Sequence, residues 1–320
     1  MNAGALAGLV ELLSSGNIGV QKQAAEALWT MALESPANQV LVGDHPGAIA
    51  SLVGLLSNSD SSMRRIGAEA LSKLADKCPA NQVHIGEYPG AVQGLVGLLS
   101  SSDSGEQRRA VEALGTLAHD CPANQVRIGE YPGAVQGLVG LLPISNYNVR
   151  QPAERVARAL WILAANCPAN QVLIGDNPKA VARLVGLLSN RNIFVQKEAL
   201  RALRALIDEC PANQVLVGEH PGAVAGLVRL LSTDNIHVRK QAAGVLRALA
   251  HDCPANQVRI GEYPRAVASL AELLSSQNSN VRQQAAGALR TLARDCPANQ
   301  VLIGECPQVK SREETALPIL

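Results

Sequence analysis

Two runs in this sequence set the residue types of nucleophilic catalysis side by side: His119-Asp120-Cys121 and His251-Asp252-Cys253. In a working triad the base must reach the nucleophile while a third group orients the base. Consecutive residues at a helix end point in different directions, so adjacency in the chain works against that geometry. Both runs also hold the same place in a longer repeating text, which makes them part of that text rather than separate sites. His45 and His220 occupy equivalent positions, His84 and His237 lie elsewhere, and no pair of cysteines or histidines has the short spacing of a zinc site. The chain has no Gly-x-x-x-x-Gly-Lys-Ser/Thr phosphate loop. The residues that could do chemistry therefore predict no enzyme, no metal and no other cofactor.

Six of the seven cysteines, Cys78, Cys121, Cys167, Cys210, Cys253 and Cys296, occupy one position in successive copies of the text. Helices stacked side by side lie roughly 8 to 10 Å apart, whereas a disulfide needs Cα atoms within about 7 Å. These cysteines are expected to stay reduced, as small half-buried residues at helix junctions. Cys306 stands where other copies carry Tyr88, Tyr131 or Tyr263, and is expected to be an exposed thiol.

The repeating text is the element that must position everything else. Marked by the asparagine of each Pro-Ala-Asn-Gln, it recurs at Asn38, Asn81, Asn124, Asn170, Asn213, Asn256 and Asn299, in steps of 43, 43, 46, 43, 43 and 43 residues. Self-similarity at that period belongs to stacked repeat architectures. In the copy that starts at Cys210, Pro211 opens a short helix that is expected to stop at Gly218. A second helix follows Pro221, with Val224, Leu227, Val228 and Leu231 on one face. Asp and Asn then supply a turn and cap, and a longer third helix puts Val238, Ala242, Val245, Leu246 and Leu249 on its apolar face. Glycines recur in the second helix, as at Gly226, Gly94 and Gly97, although each costs up to about 1 kcal/mol relative to alanine. Their recurrence predicts neighbours too close for a Cβ. Around NYNVRQPAERVARALW the step lengthens by three residues and Pro152 intervenes, which predicts a local bend.

A short, a medium and a long helix, written NxxxxxGxxxGAVxxLVxLLS and then VRxxAAxALxxLA, resemble the armadillo repeat over residues 3 to 304. HEAT repeats, with two helices per unit, are the nearest alternative. The resemblance implies an all-α fold, a right-handed α–α superhelix of the armadillo-solenoid type. A partial first repeat would occupy 1–35, followed by 36–78, 79–121, 122–167, 168–210, 211–253 and 254–296, with a partial last repeat at 297–304. The tail, 305–320, is expected to be disordered.

Composition narrows the partners. Twenty-eight basic and 27 acidic residues leave a formal charge of +1, and aromatics make up 2%. That gives no general attraction to nucleic acid or anionic membranes, and few stacking platforms for single strands. The start lacks a secretory pattern, and no run of eighteen apolar residues occurs. An intracellular location, cytoplasmic or nuclear, is expected.

In armadillo proteins the third helices line an inner groove that holds a partner chain, so function is expected where the copies differ on that helix. The first variable position reads Glu26, Glu69, Glu112, Arg158, Arg201, Gly244 and Gly287. One turn on come Thr30, Lys73, Thr116, Ile162, Ala205, Ala248 and Thr291; between them lie Trp29, Ser72, Gly115, Trp161, Arg204, Arg247 and Arg290. The Trp and Asn ladders of importin-α-like members would fall on the first two of these positions, where this chain has neither residue. The groove residues are taken as Glu26, Trp29, Glu69, Glu112, Arg158, Trp161, Arg201, Arg204, Arg247 and Arg290, acidic early and basic late. The implied partner is an extended or helical protein segment. A module for self-assembly, or for building a larger protein through ends without polar capping units, is the alternative.

Overall fold

The computed structural model describes residues 3–143 and 150–309, which are helices joined by short turns, with no strand among them. The chain falls into two compact units, Met1–Leu141 and Leu142–Leu320. The first holds α1 (Ala3–Leu12), α2 (Ile18–Leu33), α3 (Pro36–Asp44), α4 (Ala48–Leu55), α5 (Ser61–Ala75), α6 (Pro79–Glu87), α7 (Ala91–Leu98), α8 (Ser104–Ala118), α9 (Pro122–Glu130) and α10 (Ala134–Leu141). The second holds α11 (Arg150–Ala164), α12 (Pro168–Gly175), α13 (Ala180–Leu187), α14 (Ile193–Ile207), α15 (Pro211–Glu219), α16 (Ala223–Leu231), α17 (Ile236–Ala250), α18 (Pro254–Glu262), α19 (Ala266–Leu273), α20 (Ser279–Ala293) and α21 (Pro297–Glu305).

Local chemistry sets these boundaries. Proline opens α15 and the other short helices, where its missing N–H has no intrahelical partner to lose. Asn17, Asp60, Asp103, Asn192, Asn235 and Asn278 cap the long helices by accepting from backbone N–H groups of the first turn. The apolar sets read from the sequence are buried, among them Val224, Leu227, Val238, Leu246 and Leu249. From α5 onward, between each long helix and the next short one, the chain crosses the left-handed region at Lys77, Asp120, Asn166, Glu209, Asp252 and Asp295, with φ between 50° and 56°.

Repeats are joined by a polar ladder inside the apolar stack. Asn256 is fully buried, and its Nδ2 donates to Gln214 O of the preceding short helix at 2.8 Å and to Leu249 O of its own long helix at 3.0 Å. Asn81, Asn124, Asn213 and Asn299 repeat the pattern. The neighbouring glutamine reaches the other way. Gln214 Nε2 donates to Ala248 O at 3.1 Å and His251 O at 3.4 Å, at the end of the next long helix; Gln39, Gln82, Gln171 and Gln257 do likewise. Those carbonyls belong to the last turn and the cap residue, where the regular i+4 donors run out; Thr116 O and Ala248 O accept from the cap N–H as well.

The ladder explains the glycine that ends the Pro-Ala-Asn-Gln helix, and corrects its reading as a stop signal. α15 runs through Gly218 to Glu219, and a Cβ on Gly218 would overlap Asn256 Oδ1. Gly43, Gly86, Gly175 and Gly261 face the asparagine of the next copy in the same way. The second-helix glycines divide. A Cβ on Gly94 would lie 2.8 Å from Leu56 Cδ1, and one on Gly226 would lie 3.0 Å from Leu188 Cδ1, as expected, whereas Gly97 has nothing within 4 Å.

Two further expectations meet the structure here. Cys306 is buried rather than exposed, at 6%. It caps α21, a further helical turn begins at Pro307, and its Sγ donates to Gln308 Oε1 at 2.9 Å. Pro152 falls in the first turn of α11, so it belongs to a helix start. The bend expected there involves residues 144–149, and most of the tail expected to be disordered is 310–320; both stretches lie outside the described residues.

The contact between Gly218 and Asn256 can be tested by a double-mutant cycle. Gly218→Ala should cost about 1–3 kcal/mol by overpacking, and Asn256→Ala about 1–3 kcal/mol by leaving the last-turn Leu249 carbonyl buried without its donor. The double variant should lose less than their sum by about 1–2 kcal/mol in urea unfolding; strict additivity would contradict the contact.

The caps give a pH dependence. Asp60 is held below the ordinary carboxylate range by the hydrogen bond from the Ser62 hydroxyl and then the Met63 N–H, and Asp103 by the N–H groups of Glu106 and Gly105. A depressed folded value contributes stability above the unfolded pKa, near about 4, and that contribution is lost as pH falls through the folded value. Urea midpoints should fall on acidification, and fall less in an Asp60→Asn, Asp103→Asn variant that keeps the acceptors but cannot titrate.

Candidate functional site: the third-helix face

The long helices α2, α5 and α8 pack side by side in the first unit, and α11, α14, α17 and α20 do so in the second. The face they leave open carries every candidate groove residue. Arg158 and Arg290 are exposed, and Glu26, Trp29, Glu69, Glu112, Trp161, Arg201, Arg204 and Arg247 are half-buried. The row one turn further on behaves differently. Thr30 is exposed and Lys73 and Thr116 are half-buried, but Ile162, Ala205, Ala248 and Thr291 are buried. In the second unit that row is core, and the arginines beside it form the surface.

In the first unit the acids already have partners. Arg109 Nη2 lies 2.8 Å from Glu69 Oε2 and its Nη1 lies 3.3 Å from Glu112 Oε2, so one base clasps both. Lys22 Nζ stands 4.0 Å from Glu26 Oε1. Deeper in the same stack, Glu106 is 1% exposed and takes Arg64 Nη2 at 2.7 Å, which raises the Arg64 pKa. Glu106 sits where α2, α5, α14, α17 and α20 carry Val20, Met63, Val195, Val238 and Val281 and α11 carries Pro152.

In the second unit Arg201 stacks on Trp161, 5.0 Å from the ring centroid, while its Nη1 meets Glu198 Oε1 at 3.0 Å. Arg204 donates to Gly244 O at 2.9 Å and meets Asp208 Oδ1 at 3.1 Å. The glycines leave room for these arginines to lie across the next helix: a Cβ on Gly287 would come within 3.1 Å of Arg247 Cδ. Trp161, Leu200, Arg201, Arg204, Lys240, Gln241, Gly244 and Val245 help line a cavity of about 350 Å³. Gln241 Oε1 itself is buried away from solvent without a hydrogen-bond partner.

Arg109, Glu198 and Gln241 were not singled out from the sequence. All three lie three residues before the first variable position of their helix, hence one turn earlier on the same face. Aligning one turn further back would have found them, and would have shown that this row carries charges opposite to Glu112 and Arg201.

The histidine-aspartate-cysteine runs are turns. His119 caps α8, Asp120 takes the left-handed turn with φ 54°, and Cys121 is the N-cap of α9. His119 Nδ1 lies 3.1 Å from Asp120 Oδ2, and His251 lies 3.2 Å from Asp252, but both thiols are buried. Among the described residues, no three His, Cys, Asp or Glu side chains converge as a metal would require. No described helix is long and apolar enough to cross a membrane.

Comparison with known proteins supports a stack of helical repeats and matches the HEAT alternative over part of the chain. Residues 6–115 match the family described as HEAT repeats, and residues 193–249 match HEAT-like repeats. A crystal structure of an engineered protein from the Northeast Structural Genomics Consortium superposes with a TM-score of 0.70 at 30% identity, covering 76% of this chain and 96% of the other. A second engineered protein from that consortium gives 0.69 at 26% identity, covering 97% of this chain and 83% of its own. The chain is a helical-repeat solenoid. No curated protein matches it. Solenoids of this kind typically bind proteins through surfaces their repeats leave open.

For this solenoid the Arg109 clasp has a measurable consequence. Arg109→Gln should change stability by less than about 1 kcal/mol, as for other partly exposed ion pairs. It should also free two carboxylates and strengthen binding of a lysine-rich peptide at low salt, measured by fluorescence anisotropy. A loss of several kcal/mol would show that the clasp is structural.

Proposed function

We infer that the protein is a non-enzymatic interaction scaffold of the armadillo kind, holding an extended or helical segment of a partner against its long helices. Three helices per repeat, short, medium and long, support the armadillo assignment. The partner's basic residues would meet Glu26, Glu69 and Glu112 in the first unit, and its acidic residues Arg158, Arg201, Arg204, Arg247 and Arg290 in the second. Trp29 and Trp161 would anchor apolar side chains.

The observation that carries this reading is the cavity beside Trp161. It combines an aromatic wall at Trp161 with the side chains of Gln241 and Lys240, and no acid lies within ion-pair distance of the Lys240 ammonium among the described residues. A pocket with an apolar floor and a few convergent polar groups is suited to a ligand side chain. Because Arg109 clasps the first unit's acids, the arginine-bearing second unit is the stronger arm. Complementary charge sets orientation and on-rate more than affinity.

Acidic peptides with an aromatic residue should bind the full chain and weaken as salt rises. Lys240→Glu combined with Arg158→Glu and Arg290→Glu should reduce affinity at least about tenfold while leaving the circular dichroism melt in place. Binding indifferent to the order of charges in the peptide, or to this triple variant, would contradict the reading.

A further inference from the structure

The short helices of the second unit present a different surface. α12, α15, α18 and α21 contact one another in sequence, forming a row. The residues after Asn-Gln point away from the ladder: Val172, Leu173, Val215, Leu216, Val301 and Leu302 are between 39% and 58% exposed. Isolated exposed aliphatics are ordinary, but a contiguous set marks an interaction surface. In α18 the leucine's place is taken by Arg259, and in α6 and α9 of the first unit by His84 and Arg127, with Leu41 kept only in α3, so the apolar lane is densest here.

Charge says what covers it. Each of these helices ends on an exposed carboxylate, Asp176, Glu219, Glu262 or Glu305, one turn from the valine and on the same face. The carboxylates lie at helix C-termini, where the backbone dipole is also negative. Among the described residues only Glu219 of the four has a base within ion-pair distance, Arg259 at 3.8 Å; Arg265, in the turn after α18, reaches Glu272 instead. An aliphatic lane therefore runs beside an anionic one.

We propose that this edge docks an amphipathic helix whose apolar stripe is flanked by lysine or arginine. Stacked helices repeat every 8 to 10 Å or so, and seven residues of a helix advance about 10.5 Å. A helix laid along the row places one heptad against each rung. The docking uses no residue of the third-helix face and stands or falls apart from it.

The probe is a labelled peptide of about four heptads, leucine at the two apolar positions, with arginine on one flank; a control carries glutamate there. Anisotropy against the full chain should show binding of the arginine peptide only, weakening with salt. Leu216→Gln with Val258→Asn, and separately Glu219→Arg with Glu262→Arg, should each lower affinity about tenfold or more, with the melt unchanged. The Lys240→Glu variant should bind as the parent does. Equal binding of the glutamate peptide, no binding of either, or indifference to both edge variants would overturn the proposal. So would a concentration-dependent dimer that Leu216→Gln abolishes, since the edge would then be filled by a second copy.

Discussion

A buried asparagine and its neighbouring glutamine, repeated along the chain, hold this structure in register. Aliphatic burial supplies the driving force for stacking, but a leucine face tolerates sliding and rotation by small amounts at little cost. The amide of Asn213 tolerates neither. It must find Gln171 O behind it and Leu206 O beside it, both buried, while Gln214 reaches ahead to Ala248 O. Each such bond adds only about 0.5–1.5 kcal/mol net. Leaving its partners unmet inside the stack costs about 1–3 kcal/mol apiece, and that asymmetry fixes the spacing of one repeat against the next. The surface ion pairs, at no more than about 1 kcal/mol each, cannot do so.

Several otherwise separate features follow from that constraint. Gly218 and its counterparts leave space for the asparagine of the next copy, so the two residues are one device split over 38 positions of sequence. The ends of the long helices are held by glutamine, and the residue after them crosses the left-handed region at Lys77, Glu209 or Asp252, where a Cβ costs about 1–2 kcal/mol. With core and helix ends fixed in this way, the open side of the long helices is free to vary. That is where Glu69 and Glu112 in one unit, and Arg158 and Arg201 in the other, replace one another.

The helices were legible because their signals are local. Proline at the first position, Asn235 before the long helix and the spacing of Val238, Ala242 and Leu249 are each set within a few residues of where they act. The glycines of the second helix were legible by elimination, correctly for Gly94 and Gly226 and not for Gly97. The ladder was not read, although its residues were used to count the repeats, because Asn256 acts on a helix that lies some forty positions earlier. The cue was there: an amide pair kept in every copy of an otherwise apolar unit. The burial of Cys306 is illegible for a related reason: it stands in the tyrosine position of other copies, outside the cysteine register, while a helical turn from Pro307 continues beside it. On the candidate site, the variable positions of the long helices are legible in the sequence but their ion pairing is not, because Arg109 has Ile66 and Gln23 at the equivalent places and thus no repeating signature.

Hydrogen exchange of the asparagine side-chain amides tests the ladder most directly. In a ¹⁵N-resolved spectrum of the native protein, the Nδ2 protons of Asn124, Asn213 and Asn256 should exchange as slowly as backbone amides in the middle of the long helices. Exchange at the rate of a solvent-exposed asparagine, with the long helices still protected, would mean that these amides do not join the repeats and that aliphatic packing alone sets their register.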